Sequence, residues 1–446
     1  MSPTAPPDAL PHRELETWFR VGLGAVSAER ALERAIEGDA GSLRIGGERV
    51  PAGSRIVALA IGKAACAMAR ELERHAGDRI RSGLAITKDG HTLPLERCTV
   101  REAGHPIPDA RSAAAAREAL ELVAAGAPDE CLVVLLSGGA SSLTALAGPG
   151  LEPGDLARTS EWLLASGAEI EEINCVRKHL GAFGGGRLAE AAAARRIELL
   201  AISDVSGDRL DVIGSGPCSA DPSSWGDALA VVTRRGGLDV LPPGVVARLR
   251  RGALGELPET PGPGDPALDR VRAQIVARNA DARRAATAAA RAAGWPALDA
   301  GEVLRGEARE LGAQLVERAR SALGGPRGVY IAGGETTVTL RGSGLGGRSQ
   351  ECALAAAIAG RGAGDWTLLA AGSDGGDGSS DAAGARADGG TVERGQRVGC
   401  DAAAALARND SHTFFAREGG VLRTGPTHTN VMDLALVALG RSDSRA

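Results

Sequence analysis

The sequence predicts an α/β fold in two domains, with mainly parallel sheets flanked by helices, and three observations carry that expectation. At 446 residues the chain exceeds what one compact core supports, and two domains suit its length. The 43% hydrophobic share comes mostly from Ala, Val and Leu, with only ten aromatic residues (five Trp, four Phe, one Tyr), so the core must be packed from small aliphatic side chains. Such a composition suits parallel sheets covered by Ala-rich helices. Finally, short apolar runs alternate with Ala/Arg/Glu-rich stretches along the chain.

Taken in order, residues 1–12 are Pro-rich and read as a disordered tail. Buried strands are expected at "RIVALAIG" (55–62), "GLAIT" (83–87), "CLVVLLSGG" (131–139), "IELLAISD" (197–204), "GVYIAGGE" (328–335) and "WTLLAAGSDG" (366–375). Helices are expected over 13–37, 64–76, 110–126, 154–168, 187–195, 270–293, 302–323 and 349–360. The segment "GALGELPETPGPGDPAL" (252–268) has the Pro and Gly of a linker, which gives a first domain over 13–251 and a second over 269–446.

Composition also excludes some functions. A net charge of −5, with no basic run interleaved with aromatics, argues against nucleic acid as a partner. The seven cysteines are scattered without a Cys-x-x-Cys pair, as in a reduced compartment. No apolar run approaches the ~20 residues of a membrane span, and the N-terminus lacks the apolar segment of a signal peptide. A soluble, cytoplasmic protein without a membrane partner is expected, and a homodimer is left open.

Five of the six strand candidates run directly into Gly accompanied by Lys, Ser, Asp or Glu. In open parallel sheets ligands bind beyond the carboxyl ends of the strands, so these loops predict a polar, backbone-rich site drawing on both domains. Lys63 follows the first strand and opens a helix, where an anion would meet both an ammonium and a helix dipole. The loop is no Walker A, since Val57 and Ala64 stand where Gly and Ser/Thr are required. In "LLSGGASSL", Ser137, Ser141 and Ser142 surround Gly138 and Gly139, an anion nest with added hydroxyl donors. "INCVRKHLGAFGGGR" sets Arg177, Lys178 and His179 in a row before a glycine run, which suits a multiply charged anion or else a solvated helix end. Asp204, Asp208 and Asp211, followed by Gly214 and Gly216, have the hard carboxylates that Mg²⁺ uses beside phosphates. Asp374, Asp377 and Asp381 repeat the theme or form a tight Asp-Gly turn.

"LRGSGLGGRSQE" (340–351) has Gly342, Gly344 and Gly347 at the spacing of a dinucleotide loop, a permissive pattern in a chain with 63 glycines. Arg348 follows its last glycine, and an arginine beside Gly346 and Gly347 at a helix start is better read as a clamp on a transferring phosphoryl group.

Together "IGKAACAMA", "EAGHPIPDARS", "LLSGGASSL", "INCVRKHL", "ISDVSGD", "IGSGPCSAD", "ARNADARRAA", "GGETTVTLRGSGLGGRSQECALA", "AGSDGGDGSSDAAGARAD" and "RTGPTHTNVMDL" stand in one order between about residues 50 and 435. The chain thereby resembles the class II glycerate 2-kinases, whose C-terminal half is the MOFRL domain. The resemblance implies a Rossmann-like N-terminal domain and an active site in the interdomain cleft. It also implies transfer of the γ-phosphoryl of ATP, with Mg²⁺, to the 2-hydroxyl of D-glycerate. It gives Lys63 and Arg348 the look of a cationic pair steadying phosphate or carboxylate, Asp204 that of a base or metal ligand with Asp208, and Glu335 that of a second acid. Thr427 and Asn430, in the last of the matching stretches, join the binding residues on the same ground.

Three positions depart from the family pattern: Gly184 where a lysine is usual, Ser349 where an asparagine is, and His428 where a glycine is. They leave the acceptor open to a related 2-hydroxy acid. An NAD(P)H-dependent hydroxypyruvate reductase, motivated by the Gly342 triplet, and a non-catalytic binding protein, motivated by Gly184 and His428, are the rival readings.

Overall fold

The structure, a computed structural model, describes residues 13–152 and 154–440; the tail expected over 1–12 lies outside them. The described residues form two compact units, 28–276 and 13–27 with 277–440.

The first unit is built on strands β1 (Ile56–Ile61), β2 (Ile80–Lys88), β3 (Cys98–Ala103), β4 (Cys131–Leu136), β5 (Arg196–Ile202) and β6 (Val271–Ala277). Their order across the sheet is β3-β2-β1-β4-β5-β6, with β1–β2, β1–β4, β2–β3 and β4–β5 parallel. That is the dinucleotide-fold order, and its switch point falls between β1 and β4. Both strands are buried along their whole length, which is why they read as unbroken apolar runs. Leu59, Ile61, Val134 and Leu136 pack with Ala115, Ala116 and Ala119 of helix Ala110–Ala124, so small helix residues let the layers approach. Asp109 starts that helix by accepting from the amides of Arg111 and Ser112.

The second sheet comprises β7 (Ala297–Leu304), β8 (Gly328–Gly334), β9 (Trp366–Gly372), β10 (Gly384–Asp388), β11 (Val421–Leu422) and β12 (Asp433–Leu439), in the order β7-β8-β12-β9-β10-β11. Only β7–β8 is parallel, so the expectation of a mainly parallel sheet holds in the first unit and is corrected here. The buried strand β12 lies antiparallel between β8 and β9. An apolar run does not encode its own direction. The consequence is functional: Asp433, the first residue of β12, pairs in register with Gly334 and Gly372, the last residues of β8 and β9.

The boundary also moves. The Pro-rich segment 252–268 is packed onto the first unit: Pro258 accepts from the Trp225 indole at 2.9 Å, Glu259 from the Trp225 amide, and Thr260 donates to Asp221 at 3.0 Å. The chain passes between units at 276/277 instead. The expected helix 13–37 is two helices, Glu14–Ala25 and Ala28–Glu33, which fall in different units. Helix Glu14–Ala25 lies against Asn279–Ala292, where a Cβ on Gly22 would stand 2.9 Å from the Ala282 carbonyl oxygen. The expected helix 270–293 opens with β6, whose half-exposed residues carry no apolar run, and 302–323 becomes the end of β7 followed by Ala308–Leu323. Among the described residues no helix is long and apolar enough to cross a membrane.

Candidate active site

At the switch point of the first sheet the turns after β1 and β4 are stitched together. Lys63 donates its amide to Gly138 O at 2.9 Å, and Ser137 donates its amide to Ile61 O. The Ser137 hydroxyl is buried, accepts from the Ala64 amide (3.1 Å) and donates to Ile61 O (3.3 Å). It holds the turns, so its expected part in anion binding is replaced by a structural one. Gly139, at φ 89°, leaves room for Lys63 and His105: an added Cβ would lie 3.5 Å from Lys63 Cγ and 3.0 Å from His105 Cδ2.

Beside these turns a pocket is lined by Ser141, Arg177, Lys178, Gly184, Gly214 and Ser215. Helix Ile170–Leu180 supplies Asn174, Arg177 and Lys178 from one face, as i, i+3 and i+4 spacing dictates. The two cations differ. Lys178 is 5% exposed, and its Nζ turns to Asp221 (3.4 Å) and Asp211 (3.8 Å). Burial would raise Asp221, but a Ser223 hydrogen bond and Lys178 hold it below the usual carboxylate range. Arg177 meets no carboxylate among the described residues; its Nε donates to Ser160 at 3.0 Å, and burial alone lowers its pKa. An uncompensated, largely desolvated guanidinium lining a pocket is a place for an anion.

The glycines around this pocket have steric reasons. Gly214, Ser215 and Gly216 have φ of 58°, 60° and 59°. Side chains at 214 or 216 would press on Ala140 Cβ or the Asp211 backbone at 2.9 Å. A Cβ on Gly184 would sit 2.8 Å from Ser215 O, so no side chain enters this arrangement unshifted.

Asp211 pairs with Arg209 and Lys178, which removes it from the expected acidic group with Asp204 and Asp208. Among the described residues no set of three or more His, Cys, Asp or Glu side chains is grouped to hold a metal.

In the second unit, helix Arg348–Ala359 brings Arg348 against the ends of β8 and β12. Arg348 Nε and Nη2 donate to Asp433 at 2.6 and 2.9 Å, a two-pronged pair, and Nη1 meets Glu335 at 2.9 Å. Burial would lower the guanidinium, but Asp433 and Glu335 raise it well above its ordinary value. Arg348 and Glu335 thus meet, and Asp433 is the residue that sequence reasoning missed. A lone acid before the apolar run "LALVAL" was the available signal.

The glycine loop before Arg348 is a packing device. The Asn409 side chain accepts from the amides of Arg341 and Gly342, Arg408 O from Gly344, and the Asp410 side chain from Leu345. A Cβ on Gly344 would meet Asp410 at 2.5 Å, one on Gly346 the Ser411 hydroxyl at 2.3 Å, and one on Gly347 Asp377 at 2.3 Å. The helix N-terminus is already capped: Asp377 accepts from the Ser349 and Gln350 amides at 2.9 and 2.8 Å. A phosphate on Gly346 and Gly347 would face this buried carboxylate, so the anion-cradling role expected of them is not supported by the geometry. Asp374 accepts from the Gly376 amide, and Thr427 donates to Ser373 O; the Asn430 Oδ1 accepts from the Met432 amide. These three shape the turns beside Asp433. His428 occupies φ 54°, the left-handed region that glycine favours.

Burial pushes Asp377 up to about 6 from an ordinary 3.8, against its helix-capping hydrogen bonds and with help from Asp433. A carboxyl raised on folding contributes stability below pH ~4 that is lost as pH climbs through ~6. The unfolding free energy of the protein minus that of Asp377→Asn should therefore fall between pH 4 and 6 and level off above 7. Urea titrations across that range check it, and a flat difference would contradict the raised carboxyl.

Fold and geometry define a two-domain α/β protein with an arginine-lined pocket off a dinucleotide-type sheet and, on a helix against a second sheet, an arginine held by carboxylates. Residues 14–250 match the family model described as a domain of unknown function, DUF4147, and residues 328–433 match the MOFRL family. A relative from Agrobacterium vitis, named "Putative hydroxypyruvate reductase", is 40% identical over 394 residues, 86% of this chain and 87% of its own. The D-glycerate 2-kinase of Thermotoga maritima is 38% identical over 388 residues, 86% of this chain and 90% of its own. A crystal structure of glycerate kinase from T. maritima superposes with a TM-score of 0.79 at 36% identity, covering 96% of this chain and 99% of that one. The chain belongs to the class II glycerate kinase family.

Proposed function

We propose that this protein is a D-glycerate 2-kinase that transfers the γ-phosphoryl of ATP to the 2-hydroxyl of D-glycerate, giving 2-phospho-D-glycerate. The observation that carries the reading is Arg177, a guanidinium without a carboxylate partner among the described residues, set in a pocket that also offers hydroxyls. A small hydroxy acid has the matching anion and hydroxyl. Kinship to the Thermotoga enzyme supports ATP as the donor. In this reading Lys63 and Arg348 offset charge on the transferring phosphoryl group. Asp204, on the loop after β5, takes the proton that the 2-hydroxyl loses. Asp204 and Asp208 are the carboxylates that would hold Mg²⁺, an ion that commonly uses one or two protein carboxylates and completes its shell with phosphates and water. When bound, the ion would neutralise phosphate charge.

A cytoplasmic location remains our expectation. The reductase reading has the Agrobacterium relative's name in its favour. Against it, the Gly342 triplet does not turn directly from strand to helix, and Asp377 occupies the helix N-terminus where a pyrophosphate would dock. The test is ADP release from Mg·ATP across D-glycerate and related 2-hydroxy acids, beside NAD(P)H oxidation with hydroxypyruvate. ADP release that requires D-glycerate is expected. NAD(P)H consumption without ADP release would replace the kinase with a reductase, and silence in both would leave a binding protein.

A further inference from the structure

Three polar side chains form a chain into the pocket. Ser141 Oγ lies 2.8 Å from Ser215 Oγ, and Ser215 donates to Asn174 Oδ1 at 3.0 Å. An amide oxygen only accepts, so the Ser215 proton points to Asn174. With that proton committed, the hydrogen bond between the serines must be donated by Ser141. Ser141 therefore keeps only lone pairs for whatever occupies the pocket.

The direction of this chain changes the chemistry expected of Ser141. Phosphate and carboxylate oxygens accept hydrogen bonds, so a serine that has spent its proton offers them nothing. A ligand hydroxyl can donate. Arg177 lines the same pocket and supplies the complementary donor for an anion. The space, about 50 Å³, admits a group of a few heavy atoms.

The surroundings hold these side chains in place. Asn174 is 4% exposed and rises from the helix that bears Arg177. Ser215 is held between two left-handed glycines, and its carbonyl accepts from the Gly185 amide at 2.8 Å. Gly184 has no side chain to displace that carbonyl. Glycine at 184 thus leaves room for the Ser215 turn.

We propose that Ser141, oriented through Ser215 by Asn174, accepts a hydrogen bond from a non-reacting hydroxyl of the substrate, making the pocket selective for a polyhydroxy acid over an acid lacking that group. For glycerate the hydroxyl is the one on C3, and the discriminating analogue is D-lactate. Ser141 is a specificity residue and Asn174 a positioning residue. The inference rests on the chain being a hydroxy-acid kinase.

The experiment compares kcat/KM for D-glycerate and D-lactate in the wild type, Ser141→Ala, Asn174→Leu and Asn174→Asp, with calorimetric binding of both acids alongside. A neutral hydrogen bond predicts a wild-type preference for glycerate of about tenfold. Ser141→Ala and Asn174→Leu should remove it by losing more on glycerate than on D-lactate, with urea midpoints certifying their folding. Asn174→Asp keeps an acceptor and should keep the preference. An unaltered preference in Ser141→Ala, or an equal loss on both acids, would overturn the assignment. If the wild type releases no ADP with any acid, the kinase reading fails, and the calorimetric preference with its loss in Ser141→Ala still decides this one.

Discussion

Arg348→Ala should lower turnover with D-glycerate by at least ~100-fold, the scale for losing a charge stabiliser in phosphoryl transfer, and should also destabilise the fold. The second effect follows from its partners. Asp433 is 5% exposed and takes two hydrogen bonds from Arg348, while Glu335 takes the third guanidinium contact. Removing the arginine leaves a buried carboxylate uncompensated, at a cost of roughly 3 kcal/mol. A second substitution separates the effects: adding Asp433→Asn removes the orphan charge and should restore much of the stability without restoring turnover. Arg348→Lys keeps the charge but loses the two-pronged fit, and should fall between. Urea midpoints and kcat for the set are the measurements. Recovery of turnover in the double variant would mean that Arg348 serves the fold alone.

The sequence was most legible where burial acts on both sides of the chain. β1, β4, β8 and β9 are buried throughout, so their apolar runs announced them. β6 and β7 are half-exposed and were lost among helical patterns. The polar turns were located correctly, but the partners of their groups were not. Ser137 and Asp377 have the chemistry of anion and metal sites, yet each is consumed by hydrogen bonds within the fold. Composition cannot say whether a donor is spent. Asp433 was missed because its place depends on β12 running antiparallel between two strands over sixty residues away in sequence. Asn174 could have been found, since it stands three residues before Arg177 on one helix face.

Arg177→Met should behave in the opposite way to Arg348→Ala. Among the described residues Arg177 has no carboxylate to leave behind; its Nε donates to the Ser160 hydroxyl, and burial disfavours its charge. Methionine fills the stem's volume without the guanidinium, so stability should be unchanged or raised. The loss should fall on binding. Hydrogen bonds to a charged group are worth roughly 1.5–3 kcal/mol, which raises KM for D-glycerate by about 10- to 100-fold. A carboxylate that does not itself react is held alike in ground and transition states, so kcat should change little. The pair of variants then assigns the two arginines by signature, one losing kcat and stability, the other KM alone. A fall in stability for Arg177→Met, or a kcat loss matching that of Arg348→Ala, would show that the uncompensated cation does not await the carboxylate of the acceptor.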